Sequence, residues 1–210
     1  MTETLLPAFA ALFVTIDPLG MVPVYIALTT GAPAATRRRI AWRAAGLSAV
    51  VLALFAVVGR SALEALGISM AAFRVGGGAL LFLVAVEMVF ERRAARREAQ
   101  ADRARDSGDA GPGEEVAVFP LAVPLIAGPA AITSIMLLMA DRAGAPAAQA
   151  VVLAVMAVVV AILLGLFLMA TWADRFIGPV TATVISRLLG IILAALASQY
   201  ILDGLKTALG

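Results

Sequence analysis

Charged residues in this chain fall in short clusters, and the stretches between them are apolar over lengths that match a bilayer. Val151 to Ala170 runs for twenty residues without a charge, and as a helix it rises ~30 Å at 1.5 Å per residue, the depth of a hydrocarbon core. Four uninterrupted helices are predicted on this pattern: Ile40 to Ser61, Ser69 to Phe90, Ala148 to Trp172 and Thr183 to Leu205. Two further apolar stretches are predicted as broken helices. Thr4 to Thr30 is cut by Asp17-Pro18-Leu19-Gly20 and Pro23; Val116 to Ala140 is cut by Pro120, Pro124 and Gly128-Pro129. Proline removes an amide donor and disfavours helix in the residue before it. The order is therefore broken, whole, whole, and then the same again.

The repetition extends to short motifs. Phe13-Val14-Thr15-Ile16-Asp17-Pro18, with a second proline at Pro23, returns 106 residues later as Phe119 to Pro124 with a second proline at Pro129. Arg74-Val75-Gly76-Gly77 returns as Arg187-Leu188-Leu189-Gly190 at an offset of 113. Three spans per half is an odd number, so a duplicated second half enters the membrane upside down, giving an all-α polytopic protein built as a 3+3 inverted repeat. The competing explanation is chance likeness between apolar helices. On this division residues 1–90 and 116–210 are the two halves of one membrane domain. Between them, 91–115 holds six arginines, seven acidic residues and the run Asp106-Ser107-Gly108-Asp109-Ala110-Gly111-Pro112-Gly113. Such a segment cannot bury enough apolar surface to fold alone and is expected to be a flexible, charged, cytoplasmic linker.

Composition narrows the class. The chain is 62% hydrophobic with mean hydropathy +1.01, too much apolar surface for one water-soluble core of 210 residues. Met1 to Ile16 has Glu3 but no basic residue ahead of its apolar stretch, so it reads as a first mature helix and not a cleaved signal peptide. The sequence has no histidine and no cysteine, which removes the usual general base, the commonest zinc ligand and all thiol chemistry. No enzymatic role, cofactor or metal is expected, and no nucleotide-binding motif offers direct drive by ATP. The net charge of +2 and pI of about 9.7 do not indicate nucleic acid, because the arginines flank apolar spans. Eleven of them, among them Arg37, Arg38, Arg39, Arg43 and Arg175, fall in the first loop, the central segment and the fifth loop. The positive-inside rule then places both termini outside the cytoplasm. Trp42 and Trp172 read as interfacial anchors in the lipid bilayer.

The chemistry is expected at the breaks. The second half-helix of each broken span would start near Gly20 to Pro23 and near Gly128 to Pro129, presenting free N–H groups and a positive dipole end suited to a carboxylate. Gly20 and Gly128 let a ligand approach the main chain, and Thr15, Thr29, Thr133 and Ser134 offer neutral hydroxyls. With Pro18, Met21, Pro23, Pro129 and Ala130 these residues describe a candidate site for a small zwitterion. The alternative is a pair of kinked helices whose hydroxyls bond back to the i−4 carbonyl. Three roles compete for Asp17: capping the following half-helix, binding a ligand's ammonium, or holding the coupling ion. Its counterpart in the second copy is Val123, so any such role is asymmetric. Arg74, Glu87, Arg187 and Asp203 near helix ends are either snorkelling side chains or members of gating ion pairs. The small residues Gly76, Gly77, Gly78, Ala79 and Gly190, Ala194, Ala195, Ala197, Ser198 permit close helix packing.

Four blocks together resemble the MarC family of bacterial and archaeal inner-membrane proteins. They are Asp17 to Pro23 followed by Leu28-Thr29, Gly67-Ile68-Ser69 followed by Phe73 to Gly77, Phe119 to Pro129, and Ile185 to Gly190; they occur in family order over essentially the whole chain. The resemblance implies a six-helix protein of the bacterial inner membrane. It also implies transport of small neutral amino acids of the glycine and alanine type, coupled to a proton or sodium gradient. Carried onto this chain, the two broken segments are the substrate site, with Ala130 where relatives often have glycine. Export of other small metabolites and a passive channel are the alternatives; oligomeric state is not indicated.

Overall fold

The computed structural model describes residues 2–106, 114–170 and 179–209. Among them every regular element is helical. The first apolar stretch forms α1 (Thr2–Ile16) and α2 (Met21–Thr29), followed by α3 (Ala34–Ala65), α4 (Met70–Val89) and α5 (Arg92–Asp106). A 3₁₀ turn (Glu114–Ala117) and a wide, irregular segment (Val118–Ile126) lead into α6 (Pro129–Ala140), α7 (Pro146–Leu168) and α8 (Pro179–Leu209). Five runs are long and apolar enough to cross a membrane, counting Thr4–Thr29 as one; the pair Glu115–Ile126 and Pro129–Ala140, bent by 57°, makes a sixth if it is a single span.

Local chemistry sets several boundaries. α3 runs past the predicted Ser61 and stops where Gly67 takes a left-handed conformation (φ 70). Ile68 N–H then donates to Leu63 O and Gly67 N–H to Glu64 O, the paired bonds that close a helix end at a glycine. Two residues later Ser69 starts α4, its hydroxyl accepting from Ala72 N–H at 3.2 Å. Trp42 is 54% exposed, as an outward anchor requires; Trp172 and Arg175 lie outside the described residues.

The larger buried cluster gathers Leu12, Ile16, Met21, Tyr25, Leu52, Ile126, Ile135 and Phe167, so both interrupted stretches share one core with α3 and α7. Tyr25 and Phe167 stack with centroids 4.3 Å apart. A second cluster joins Leu81, Ala85 and Met88 of α4 to Leu193 and Ala197 of α8. These two helices run antiparallel in close contact. A Cβ on Gly78 would lie 2.9 Å from Ala197 O, one on Gly190 3.1 Å from Ala85 O, and one on Gly204 2.9 Å from Ala71 O. Backbones this near leave no room for a larger side chain, which is the packing expected of Gly78 and Gly190.

The segment expected as a flexible linker differs in the structure. After a turn at Glu91 (φ 61), Arg92–Asp106 forms the 15-residue helix α5, and it packs on α2, on α4 and on the irregular segment before α6. Ala, Arg, Glu and Gln, which make up most of it, are all strong helix formers, and docking supplies the burial that the segment lacks by itself. Residues 107–113 lie outside the described set.

Gly78→Leu is expected to force α4 from α8 and lower thermal stability in detergent by ~1–3 kcal/mol, the usual scale of overpacking. Gly76→Ala, with nothing within 4 Å of the added carbon, should leave it unchanged or slightly raised. Equal effects from the two substitutions would contradict the interface.

Candidate functional site

The first interruption is built on Asp17. The residue after α1 turns into the left-handed region (φ 54), which aspartate tolerates because its short side chain bonds locally. Asp17 Oδ1 accepts from Gly20 N–H at 3.1 Å, satisfying one of the donors that a helix start leaves open, here that of α2. A Cβ on Gly20 would sit 2.4 Å from Asp17 Oδ2. The chain's own carboxylate, not a ligand, is what approaches the backbone at this glycine.

The end of α1 leaves carbonyls open, and two arginines of α5 bond them. Arg93 donates to Thr15 O at 2.6 Å and to Val14 O at 3.4 Å. Arg97 donates to Ile16 O at 3.5 Å and pairs with Asp17 Oδ2 at 2.7 Å. The Arg97 and Asp17 side chains are only 6% and 5% exposed. Arg93 is equally deep; burial, and then the Arg97 charge beside it, lowers its guanidinium to about 9, so it stays cationic at neutral pH. Its Nη1 also lies 3.0 Å from the sulfur of Met88 in the last turn of α4. The interruption is therefore level with the end of α4.

In the second interruption, Phe119 (φ −129, ψ 129) and Val123 (φ −129, ψ 123) are extended. Both precede proline, whose ring clashes with a helical predecessor. α6 then opens on Pro129, a first helical position where no amide donor is needed. A Cβ on Gly128 would meet Pro124 O at 2.4 Å, so this glycine too answers to the chain itself.

A cavity of about 440 Å³ lies where the two interruptions meet α4 and α5. Its walls are Thr15; Leu80, Leu83, Val84 and Glu87 of α4; Arg93, Arg96, Arg97 and Gln100 of α5; Pro124 to Ile126; and the start of α6 from Gly128 to Ala131. Glu87 Oε1 pairs with Arg96 at 2.7 Å, while Glu87 Oε2 is buried and accepts no hydrogen bond from the described groups. The cavity thus offers buried cations, a spare carboxylate oxygen and a helix N-terminus within an otherwise apolar wall.

Of the residues predicted for the site, Gly128, Pro129 and Ala130 line this cavity. Asp17 is joined to it only through Arg97. Pro18 and Met21 are buried and Pro23 is exposed, none of them in the lining. Thr15 lines the cavity but its hydroxyl donates to Ala11 O at 2.7 Å, as Thr29 does to Tyr25 O at 2.7 Å; both take the i−4 alternative. The Thr133 methyl packs on Gly77, where a Cβ would be 2.7 Å away, and Ser134 Oγ is buried without a partner among the described residues. Arg74 pairs with Asp141 just past α6 at 2.7 Å, Arg187 pairs with Glu91, and Asp203 accepts from Gln199 at 2.9 Å. The residues that sequence reasoning missed are Arg93, Arg96, Arg97 and Gln100. Their spacing of i, i+3, i+4, i+7 is one face of a helix, and that was the available signal.

An all-helical chain with this run of apolar spans is a polytopic membrane protein. It belongs to the MarC family: the model of the MarC family integral membrane protein matches residues 2–209. The chain is similar to the UPF0056 membrane protein of Archaeoglobus fulgidus (35% identical, covering 96% of this chain and 92% of the relative). It is similar also to UPF0056 membrane protein YvbG of Bacillus subtilis (33%, 98% and 96%) and to UPF0056 membrane protein YhcE of Escherichia coli (30%, 94% and 90%). No solved structure matches it significantly.

Removing one partner of a buried ion pair strands the other, at ~3–5 kcal/mol. Asp17→Asn and Arg97→Met are each expected to lower thermal stability by that order, and the double variant by clearly less than the two losses added. Strict additivity would show that the pair is not coupled.

Proposed function

We propose that the protein is a secondary transporter of small neutral amino acids, of the glycine and alanine type, working by alternating access in the bacterial inner membrane with a proton or sodium ion as coupling partner. The observation that carries this is the cavity at the meeting point of the two interrupted stretches, with the start of α6 in its wall. A helix N-terminus at a break is how carriers of this kind present donors to an anionic group.

Several contacts support the two-halves architecture on which alternating access depends. α1 packs on α7, and the segment that corresponds to it in the second half, 114–126, packs on α3. α4 and α8, third in each half, are antiparallel neighbours, as helices related by an axis in the membrane plane must be. Pro18, between α1 and α2, and Pro124, in the irregular segment before α6, are corresponding prolines of the two copies. The Arg-x-x-Gly arginines take comparable partners at opposite ends of the α4–α8 pair: Arg74 holds Asp141 just beyond α6, and Arg187 holds Glu91 just beyond α4. Such pairs are suited to gating, each fastening one end. With the arginine-rich faces inside, both termini are outside, α5 is cytoplasmic, and the cavity belongs to the cytoplasmic half. The absence of histidine and cysteine from the sequence favours a carrier over a membrane enzyme.

Uptake of labelled glycine and alanine into proteoliposomes is expected to saturate and to be stimulated by an imposed proton or sodium gradient. Flux that rises linearly with concentration would identify a channel instead, and no uptake under any gradient by folded protein would refute amino acid import.

A further inference from the structure

The transport reading leaves the linker helix without a role, yet α5 supplies more of the cavity's charge than any other element. The charges can be paired off one by one. Arg97 is matched by Asp17 and Arg96 by Glu87. Arg93, 7% exposed, is matched by no carboxylate among the described residues: its partners are two carbonyls and a thioether. A buried guanidinium whose hydrogen-bond partners are all neutral keeps unused donors for a ligand anion to take. Glu87 lines the same cavity, and its Oε2 is a buried acceptor with no partner among the described residues, an arrangement that ordinarily costs free energy unless something fills it.

We infer that these two groups form a zwitterion clamp: Arg93, with the first turn of α6, takes the carboxylate of the substrate, and Glu87 Oε2 takes its ammonium. The inference rests on the transporter reading and gives it residues. It moves recognition from Asp17, both of whose oxygens are already engaged, to the linker helix and α4. α5 thereby becomes part of the binding site. Selectivity for an α-amino acid follows from needing both charges on one small molecule, since a ligand lacking either leaves one buried group unsatisfied.

The test is binding of alanine, alaninamide and propionate to the full-length purified protein, with alanine uptake measured in parallel. Wild type should bind alanine at least about tenfold more tightly than either analogue, the scale of one charged hydrogen bond. Arg93→Gln should lose discrimination against alaninamide while Arg93→Lys keeps part of it, and Glu87→Gln should lose discrimination against propionate. Binding of alanine by both neutral variants within about twofold of wild type, with uptake intact, would overturn the clamp and leave the carrier standing. Absence of both binding and uptake in wild type would overturn the two together. Should Arg93 variants fail to fold, the cysteine-free sequence permits Val84→Cys in the cavity wall: alanine should protect this thiol from alkylation and alaninamide should not, and equal labelling with or without alanine overturns the clamp.

Discussion

A carboxylate inside an apolar protein must find a cation, and the organisation around the first interruption follows from how Asp17 does so. Moving an ion of this size into a dry interior costs several kcal/mol even after relaxation, and no basic residue on the neighbouring spans is paired with it. Arg97, eighty residues downstream, meets the requirement, and reaching it obliges α5 to fold against the end of α1. Arg93 comes with it one helical turn earlier and bonds the carbonyls that α1 leaves open. The same side chain of Asp17 caps α2. Asp17 and its two arginine neighbours thus close the end of α1 and the start of α2 and dock α5, whose residues form one wall of the cavity.

The spans were legible because the hydrophobic pattern alone determines what can sit in lipid, and the extended backbone at Phe119 and Val123 is visible in the dipeptide, since each precedes a proline. Of the small residues of α4 and α8, Gly78 and Gly190 lie at the helix contact as expected, whereas Gly76 has nothing within 4 Å. What the pattern hid was α5. Polarity marks a solvated segment, but it also describes a helix whose arginines are buried by partners far away in the chain. Arg93 and Arg97 bond to residues 78 to 81 positions distant, and the Arg74–Asp141 pair spans 67; no local rule contains such separations. At Gly20 and Gly128, where a ligand was expected to approach the main chain, the atoms that do so are Asp17 Oδ2 and Pro124 O.

The two interruptions are consequently not equivalent. At the first, donors and acceptors are consumed within the protein, and Asp17 is a structural ion in this conformation. At the second, the start of α6 borders open volume. The first interruption is thus the seat of α5, through Arg93 and Arg97, and the second is the one that borders the cavity. α5 packs on α2, on α4 and on the segment before α6, and so ties the first interruption to the second.

The most direct measurement is hydrogen–deuterium exchange over Arg92–Gln100 in the intact wild-type protein. Docking of α5 through Arg93 and Arg97 predicts amides protected to the same order as those of neighbouring α4. Exchange at the rate of an unstructured peptide would show instead that this segment is a solvated linker, and that the Asp17 carboxylate is neutralised by something other than Arg97.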